Sequence, residues 1–394
     1  MPWRETCAME ERLNLLLEWD RCEVSVSALC RIYGISRKTA YKWRERYLAE
    51  GVAGLLDRSR APHRHPQGMA AAVVEAIVAV RHRYPYWGPK KIRAYLARRH
   101  PGTRWPATST MSDLLRREGL VVARRRRLRA PPRTAPFAEC AHPNDVWCID
   151  FKGWFRCADG ARCDPLTLSD GASRYLLRCQ ALRRADGDHA WPVVEAAFRE
   201  YGLPRAVRSD NGPPFASVGA GGLSPFAVNL VKAGVVVERI DPGQPQQNGR
   251  LERLHLTLKQ ETASPPASSL RQQGRRFAAF QAYYNTERSH EALGQTPPAE
   301  HYQPSPRLYS GRLREPDYAD DWQVRRVRRS GEIKWRGRGI YISESLVGEA
   351  VGLAEREDGD WDIHFGPVRL GRISTAGRFI RPKRRTRRPK PVRG

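Results

Sequence analysis

The chain lacks a long hydrophobic run, paired cysteines and, for its size, acids. Its longest apolar stretch, Met69 to Val80, contains Glu75 and is too short to span a bilayer. Glu5, Glu10 and Glu11 interrupt the N-terminus where a secretory leader needs apolar residues. The eight cysteines (Cys7, Cys22, Cys30, Cys140, Cys148, Cys157, Cys163 and Cys179) include no CxxC pair. Paired zinc-ligand spacing is therefore absent, and a disulfide framework is not expected in so long a chain. A cytoplasmic protein with reduced thiols is the expectation.

Acids number 42 against 69 lysines and arginines, a formal net charge of +27 over 394 residues. Such a surplus repels itself and calls for a polyanionic partner. A GC-rich genome would account for part of the preference for Arg over Lys, but not by itself for the net charge. Arg also suits planar, bidentate contact with phosphate or guanine. Length alone predicts two to four domains.

The first segment, 1–60, reads as helices. In "VSVSALCRIYGISRKTAYKWRERYLAEG", Gly34 separates two helices and Ser36 is placed to cap the second. Ala40, Trp43 and Tyr47 fall on one stripe. Arg37, Lys38, Lys42 and Arg44 lie largely off it, on solvent-facing sides. The pair resembles a helix-turn-helix whose second helix enters a major groove. A second set of three helices follows over 66–123, with Pro89 just inside a helix start. It reads as another such unit, with a wing as an option. "ARRRRLRAPPRTAP" then makes a basic linker over 124–141, and Arg124, Arg125, Arg126 and Arg127 are its candidates for tracking phosphate.

From residue 142 to 305 strands alternate with helices. Three early strands followed by α-β-α-β-α predict a mixed sheet flanked by helices. "NDVWCIDFKGWF" reads as the first of those strands. Residues 306–325 are Pro-rich and read as a linker, and 326–378 as a small barrel or sheet. The acid-free stretch 379–394 reads as a disordered basic tail.

Three acids in the α/β region stand out: Asp150 in an apolar strand, Asp210 in "RSDNGPPF" and Glu252 early in a helix. Each has an ordinary reading, as a strand end, an Asx-turn residue and a solvated or Arg253-paired helix residue. Together they suit phosphoryl transfer, in which carboxylates hold two Mg²⁺ ions about 3.5–4 Å apart. "VWCIDF", "RSDNGPPF" and "GQPQQNGRLERLH" resemble the three acidic motifs of the integrase-type core. That core is shared by retroviral integrases and bacterial insertion-sequence transposases. "YYNTERSHEALGQTPPAEHY" resembles its bacterial tail. The resemblance covers roughly 142–302. It implies a ribonuclease-H-like fold and Mg²⁺- or Mn²⁺-dependent cutting and joining of double-stranded DNA. Asp150, Asp210 and Glu252 are then both catalytic and metal-binding, and a dimer or higher oligomer forms on the DNA.

One departure concerns spacing. Between Asp210 and Glu252 lie 252 − 210 − 1 = 41 residues, more than the retroviral pattern has, and strict spacing would select Gln246. The Gly-rich "ASVGAGGLSP" absorbs the extra length, and "GQPQQNGRLE" selects Glu252 over Glu238 and Glu261. The retroviral zinc module is not recognisable, since His63, His65 and the early cysteines lack its spacing. Asn211 and Gly212 would shape the loop beside the metals. Gln247, Asn248 and Gly249 would cap the helix of Glu252, with Asn248 approaching a DNA phosphate. Lys259, two turns on, is a further DNA contact. The alternatives are a DNA-binding regulator with an inactive core and a nuclease without strand transfer.

Overall fold

A computed structural model describes residues 7–59, 68–121, 140–240 and 249–382, the side chains of residues 249 and 250 excepted. The chain forms two compact units, Met1–Gly68 and Met69–Gly394.

In the first unit α1 (Ala8–Asp20), α2 (Val26–Ile32) and α3 (Arg37–Glu50) enclose Leu15, Trp19, Leu29, Ala40, Trp43 and Leu55. Ser25 and Ser36 accept hydrogen bonds from the Ala28 and Thr39 amides, the caps that start α2 and α3. Gly34, at φ 64°, turns the chain between them in a conformation costly for any residue with a Cβ. The expected stripe is present, with Ala40 and Trp43 buried and Tyr47 half-buried.

The second unit begins with α4 (Ala71–Arg83), α5 (Pro89–Arg99) and α6 (Thr108–Arg117), packed around Ile77, Trp87, Ile92, Met111 and Leu115. Pro89 is the first residue of α5, where its missing amide costs nothing. The segment expected to form a wing lies largely outside the described residues.

The mixed sheet follows. Its strands are β1 (Val146–Phe151), β2 (Phe155–Arg156), β3 (Arg162–Asp170), β4 (Leu176–Leu182), β5 (Ala206–Ser209) and β6 (Val236–Arg239). The order is β2-β3-β1-β5-β6, with β4 also on β3. β1 runs antiparallel to β3 and parallel to β5. The first strand is shorter than its sequence suggested: Gly153, at φ 82°, breaks it, and Phe155 restarts as β2. One face is packed by α7 (Gly187–Tyr201) and α8 (Pro225–Lys232), the other by α9 (Gly249–Thr262) and α10 (Leu270–Thr286).

Residues read as a Pro-rich linker are instead a strap on this core. The Leu203 amide donates to the Arg307 carbonyl (2.7 Å) and the Arg314 amide to the Lys232 carbonyl (3.0 Å), while Tyr309 and Leu313 pack into the apolar interior. Beyond the strap, β7 (Gln323–Arg326), β8 (Glu332–Trp335), β9 (Arg338–Tyr341), β10 (Ala350–Glu355), β11 (Trp361–Phe365), β12 (Val368–Ile373) and β13 (Phe379–Ile380) are all antiparallel. Five of them form a sheet of order β13-β12-β11-β10-β7, and β8 pairs with β9. Of the barrel and the sheet expected here, this is the sheet. Phe379 and Ile380, assigned to the tail by charge, join it. Ala227, Val228 and Val231 of α8 lie in one apolar cluster with Leu353, Phe365 and Leu370.

At the β4 edge, Asn285 of α10 accepts from the Leu176 amide (2.8 Å) and donates to the Leu176 carbonyl (3.0 Å). A buried amide side chain thus extends the ladder where, among the described residues, no strand follows. Asn285→Ala removes both bonds, and we expect a loss of at least about 2 kcal/mol in unfolding free energy. Urea denaturation against wild type measures it.

Candidate active site

The parallel pairing of β1 and β5 sets the geometry. Val146 is opposite Ala206, Trp147 opposite Val207 and Cys148 opposite Arg208. The same offset carried two residues on brings Asp150 level with Asp210 at the carboxyl ends of adjacent strands, where open α/β sheets place their ligand sites. The electrostatics agree. Burial pushes the Asp150 carboxyl up to about 7, helped by the negative charge of Asp210 and, more weakly, that of Glu252.

The turn after β5 holds Asp210 in place. Its Oδ1 accepts from the Gly212 amide (3.2 Å), and Asn211 Nδ2 donates to the Ile240 carbonyl beyond β6 (2.6 Å). A Cβ at Gly212 would lie 3.1 Å from Asp210 Oδ2, so glycine lets the carboxylate fold back over the turn. Asn211 and Gly212 therefore shape this loop as expected.

Glu252 is exposed on the first turn of α9. Its two rivals are engaged elsewhere. Glu238 is bound by Arg208 at 2.6 and 3.1 Å. Glu261 is bound by Arg288 at 2.8 Å and accepts from the Tyr283 hydroxyl. A carboxylate locked to a buried guanidinium is poorly available to a metal, whereas Glu252 is open to solvent. Among the described residues no three acid, His or Cys side chains are gathered closely enough to hold one ion. The three carboxylates are electrostatic neighbours rather than a preassembled cage. They are nonetheless the hard oxygen donors that Mg²⁺ prefers, and the Asp150–Asp210 repulsion is of the kind a divalent cation relieves. The donor set fits such an ion.

Sequence reasoning gave no role to His255, Thr167 and Lys152. His255, one helical turn beyond Glu252, is buried, with Nδ1 3.8 Å from Asp150 Oδ2 and a ring nitrogen 2.7 Å from the Thr167 hydroxyl. Thr167 stands opposite Asp150 across β1 and β3. Burial, then the positive charge of Lys152, lowers the His255 pKa to about 4. It is therefore a neutral wall against Asp150, not a salt-bridge partner at neutral pH. The available signal was its i+3 spacing from Glu252 within "RLERLH".

The candidate DNA contacts divide. Arg37, Lys38 and Lys42 are exposed on α3, whereas Arg44 is half-buried with its guanidinium carbon 5.0 Å from the Trp19 ring centroid. That packing withdraws Arg44 from the freely solvated side it was assigned. Lys259 is exposed on α9. Arg124, Arg125, Arg126, Arg127 and Asn248, like Gln247, lie outside the described residues.

The comparisons with known proteins follow the same division of the chain. Family models described as a helix-turn-helix domain and a homeodomain-like domain match residues 11–63 and 39–115. Two models of the integrase core domain match 141–245 and 233–298, and one of the IS481 family transposase C-terminal domain matches 322–378. An uncharacterized 39.2 kDa protein of insertion element IS476 from Xanthomonas euvesicatoria is 30% identical over 40% of this chain and 44% of its own length. An uncharacterized 31.7 kDa protein of insertion element IS407 from Burkholderia multivorans is 26% identical over 71% of this chain and 91% of its own. The chain thus spans less than half of the first relative. Among solved structures, the HTLV-2 integrase catalytic core domain in complex with magnesium is 15% identical, covering 41% of this chain and 98% of its own at a TM-score of 0.33.

The different circumstances of the acids separate their effects on stability. Glu261→Gln should cost a few kcal/mol by leaving Arg288 buried with a weaker partner, against roughly 3–5 kcal/mol when one member of a buried pair is removed outright. Glu252→Gln should stay within about 0.5 kcal/mol of wild type, as surface changes do. Thermal unfolding of the two variants checks the contrast.

Proposed function

We propose that this chain, an insertion-element transposase built from helix-turn-helix domains, an integrase core domain and an IS481-type C-terminal domain, cuts and joins the ends of its own element. The observation that carries this reading is the β1–β5 register. It sets Asp150 beside Asp210, with Glu252 near enough for Asp150 to feel its charge.

In this reading Asp150, Asp210 and Glu252 hold Mg²⁺ or Mn²⁺, two ions once DNA is bound. The metal supplies activation of the attacking oxygen and stabilisation of the leaving one. The chain's own residues do the rest. The Asn211–Gly212 turn fixes the direction of Asp210. His255, kept neutral, shields one side of Asp150 without competing as a cation. Water attacks the phosphodiester at the element's 3′ end, whose 3′-oxygen leaves with a proton. That hydroxyl then attacks a target phosphodiester in line and expels the target's own 3′-oxygen. No covalent enzyme–DNA bond forms.

The exposed Arg37, Lys38 and Lys42 of α3 grip the element end, with Arg124, Arg125, Arg126 and Arg127 along the phosphates and Asn248 and Lys259 near the cut. Joining two ends requires at least two copies, acting in the cytoplasm on nucleoid DNA. Among the described residues no helix is long and apolar enough to cross a membrane.

The test uses the terminal inverted repeats expected beside the gene. Asp210→Asn should bind them like wild type and lose cleavage by roughly a thousandfold or more, since several kcal/mol of charge stabilisation goes with the metal. Cleavage at the wild-type rate refutes the assignment. A regulator with an inert core predicts no cutting by either protein. Wild-type affinity should fall with salt, at a slope of about −0.9 per phosphate neutralised.

A further inference from the structure

Beside the acidic centre is a feature that the reaction above does not use. Gly153 turns the chain out of β1 and leaves Trp154 55% exposed. A large indole left open to water is unusual, and here it is framed by cations. The Arg162 guanidinium carbon is 5.1 Å from the Trp154 ring centroid and that of Arg156 is 5.8 Å. Arg162 is itself fixed, donating to both Asp164 oxygens at 2.7 and 3.0 Å.

Trp154 borders a cavity of about 150 Å³ whose wall includes Phe155 and Phe277, with Lys152 and Lys259 also on its lining. Phe277 is wholly buried, so part of the lining is rigid core. Lys152 ties the cavity to the acids, because its charge acts on both Asp150 and His255. Arg162 also shares a broader hollow of about 550 Å³ with the exposed Arg183 and Arg184, and Asp186 is the acid on its lining.

We infer that this cavity binds one unstacked nucleobase of the DNA strand end, with Trp154 as its stacking platform and Lys152 and Lys259 holding the adjoining phosphates. The chemistry is that of a single-strand site: an aromatic face for the base and a basic rim for the backbone. A protein or lipid partner fits less well, since the cavity is small and two lysines stand on its lining. The function would be to hold a frayed end beside Asp150, so that the scissile phosphate is not carried off when the duplex re-pairs. The inference rests on the DNA-cutting reading for its biological meaning, but not for its test.

The test compares full-length wild type, Trp154→Ala and Trp154→Phe without divalent ions. The probes are one duplex oligonucleotide with blunt ends and the same duplex carrying unpaired 3′ adenines, read by fluorescence anisotropy. Wild type should prefer the unpaired end by about tenfold, the order expected for one base stacked on an aromatic ring. Trp154→Ala should lose that preference while binding the blunt duplex as wild type does, which also shows that it is folded. Trp154→Phe should keep most of it. Trp154→Ala with its preference intact, or wild type without one, overturns the inference. Cleavage of terminal repeats is scored separately. A preference without cutting defeats the functional reading alone, and cutting without a preference defeats the base site alone.

Discussion

Two carboxylates at the ends of neighbouring parallel strands repel each other, and the rest of the core is arranged to keep them there. Asp150 is partly buried, and after that burial the charge of Asp210 weighs on its carboxylate most. Separating them would need only a small splay of β1 from β5. That is opposed by the apolar side chains of the same strands, Trp147, Ile149 and Val207, which are almost wholly buried. The hydrophobic layer under α7 and α8 thereby holds a charge arrangement that would not form by itself. A fold that gives up stability in this way at one point makes that point the candidate for function.

The fate of the other acids sharpens the contrast. Asp164 is clamped by Arg162. Asp170 accepts from the amides of Asn144 and Ser173 and from the Ser173 hydroxyl. Glu238 and Glu261 are each bound to a buried arginine. In so basic a chain, an acid finds a cation easily. Asp150, by contrast, faces a neutral His255 and the charges of Asp210 and Glu252, and its nearby cation, Lys152, only partly offsets them. The distinction is visible in three dimensions and hidden in composition, where all 42 acids look alike.

Much of the architecture was legible in the sequence because it follows local rules. Ser36, Gly34 and Pro89 announced helix starts and turns through caps and backbone preference, and the order of strands and helices implied the mixed sheet. What failed was tertiary. Gly153 divided a run that reads as one strand, because positive φ, not hydrophobicity, ended it. The Pro-rich 306–325 looked like a free linker, yet the Arg307 carbonyl, the Arg314 amide and the side chains of Tyr309 and Leu313 find partners on a core formed about a hundred residues earlier. Arg44 fell on the polar side of a helical wheel, but Trp19 of another helix reaches it. Asp210 and Glu252 were singled out by motif context. His255 was not, because its meaning depends on Thr167 across the sheet.

The stretch "YYNTERSHEALG", at first only a point of resemblance, has a mechanical role. Tyr283 stacks on Tyr84 at 5.7 Å, and Tyr84 on Trp87 at 4.1 Å, so α10 shares an aromatic stack with the second helical set. Arg98 of α5 donates to the carbonyls of Glu287 and Gln295, and Lys90 pairs with Glu291 at 2.7 Å. The same Tyr283 hydroxyl bonds Glu261 on α9, the helix that carries Glu252. A surface on α4–α6 that gripped DNA would therefore be joined to the acidic centre through packed rings and two helices, not through a tether. Such a connection fixes the distance between the helical surface and the acidic centre.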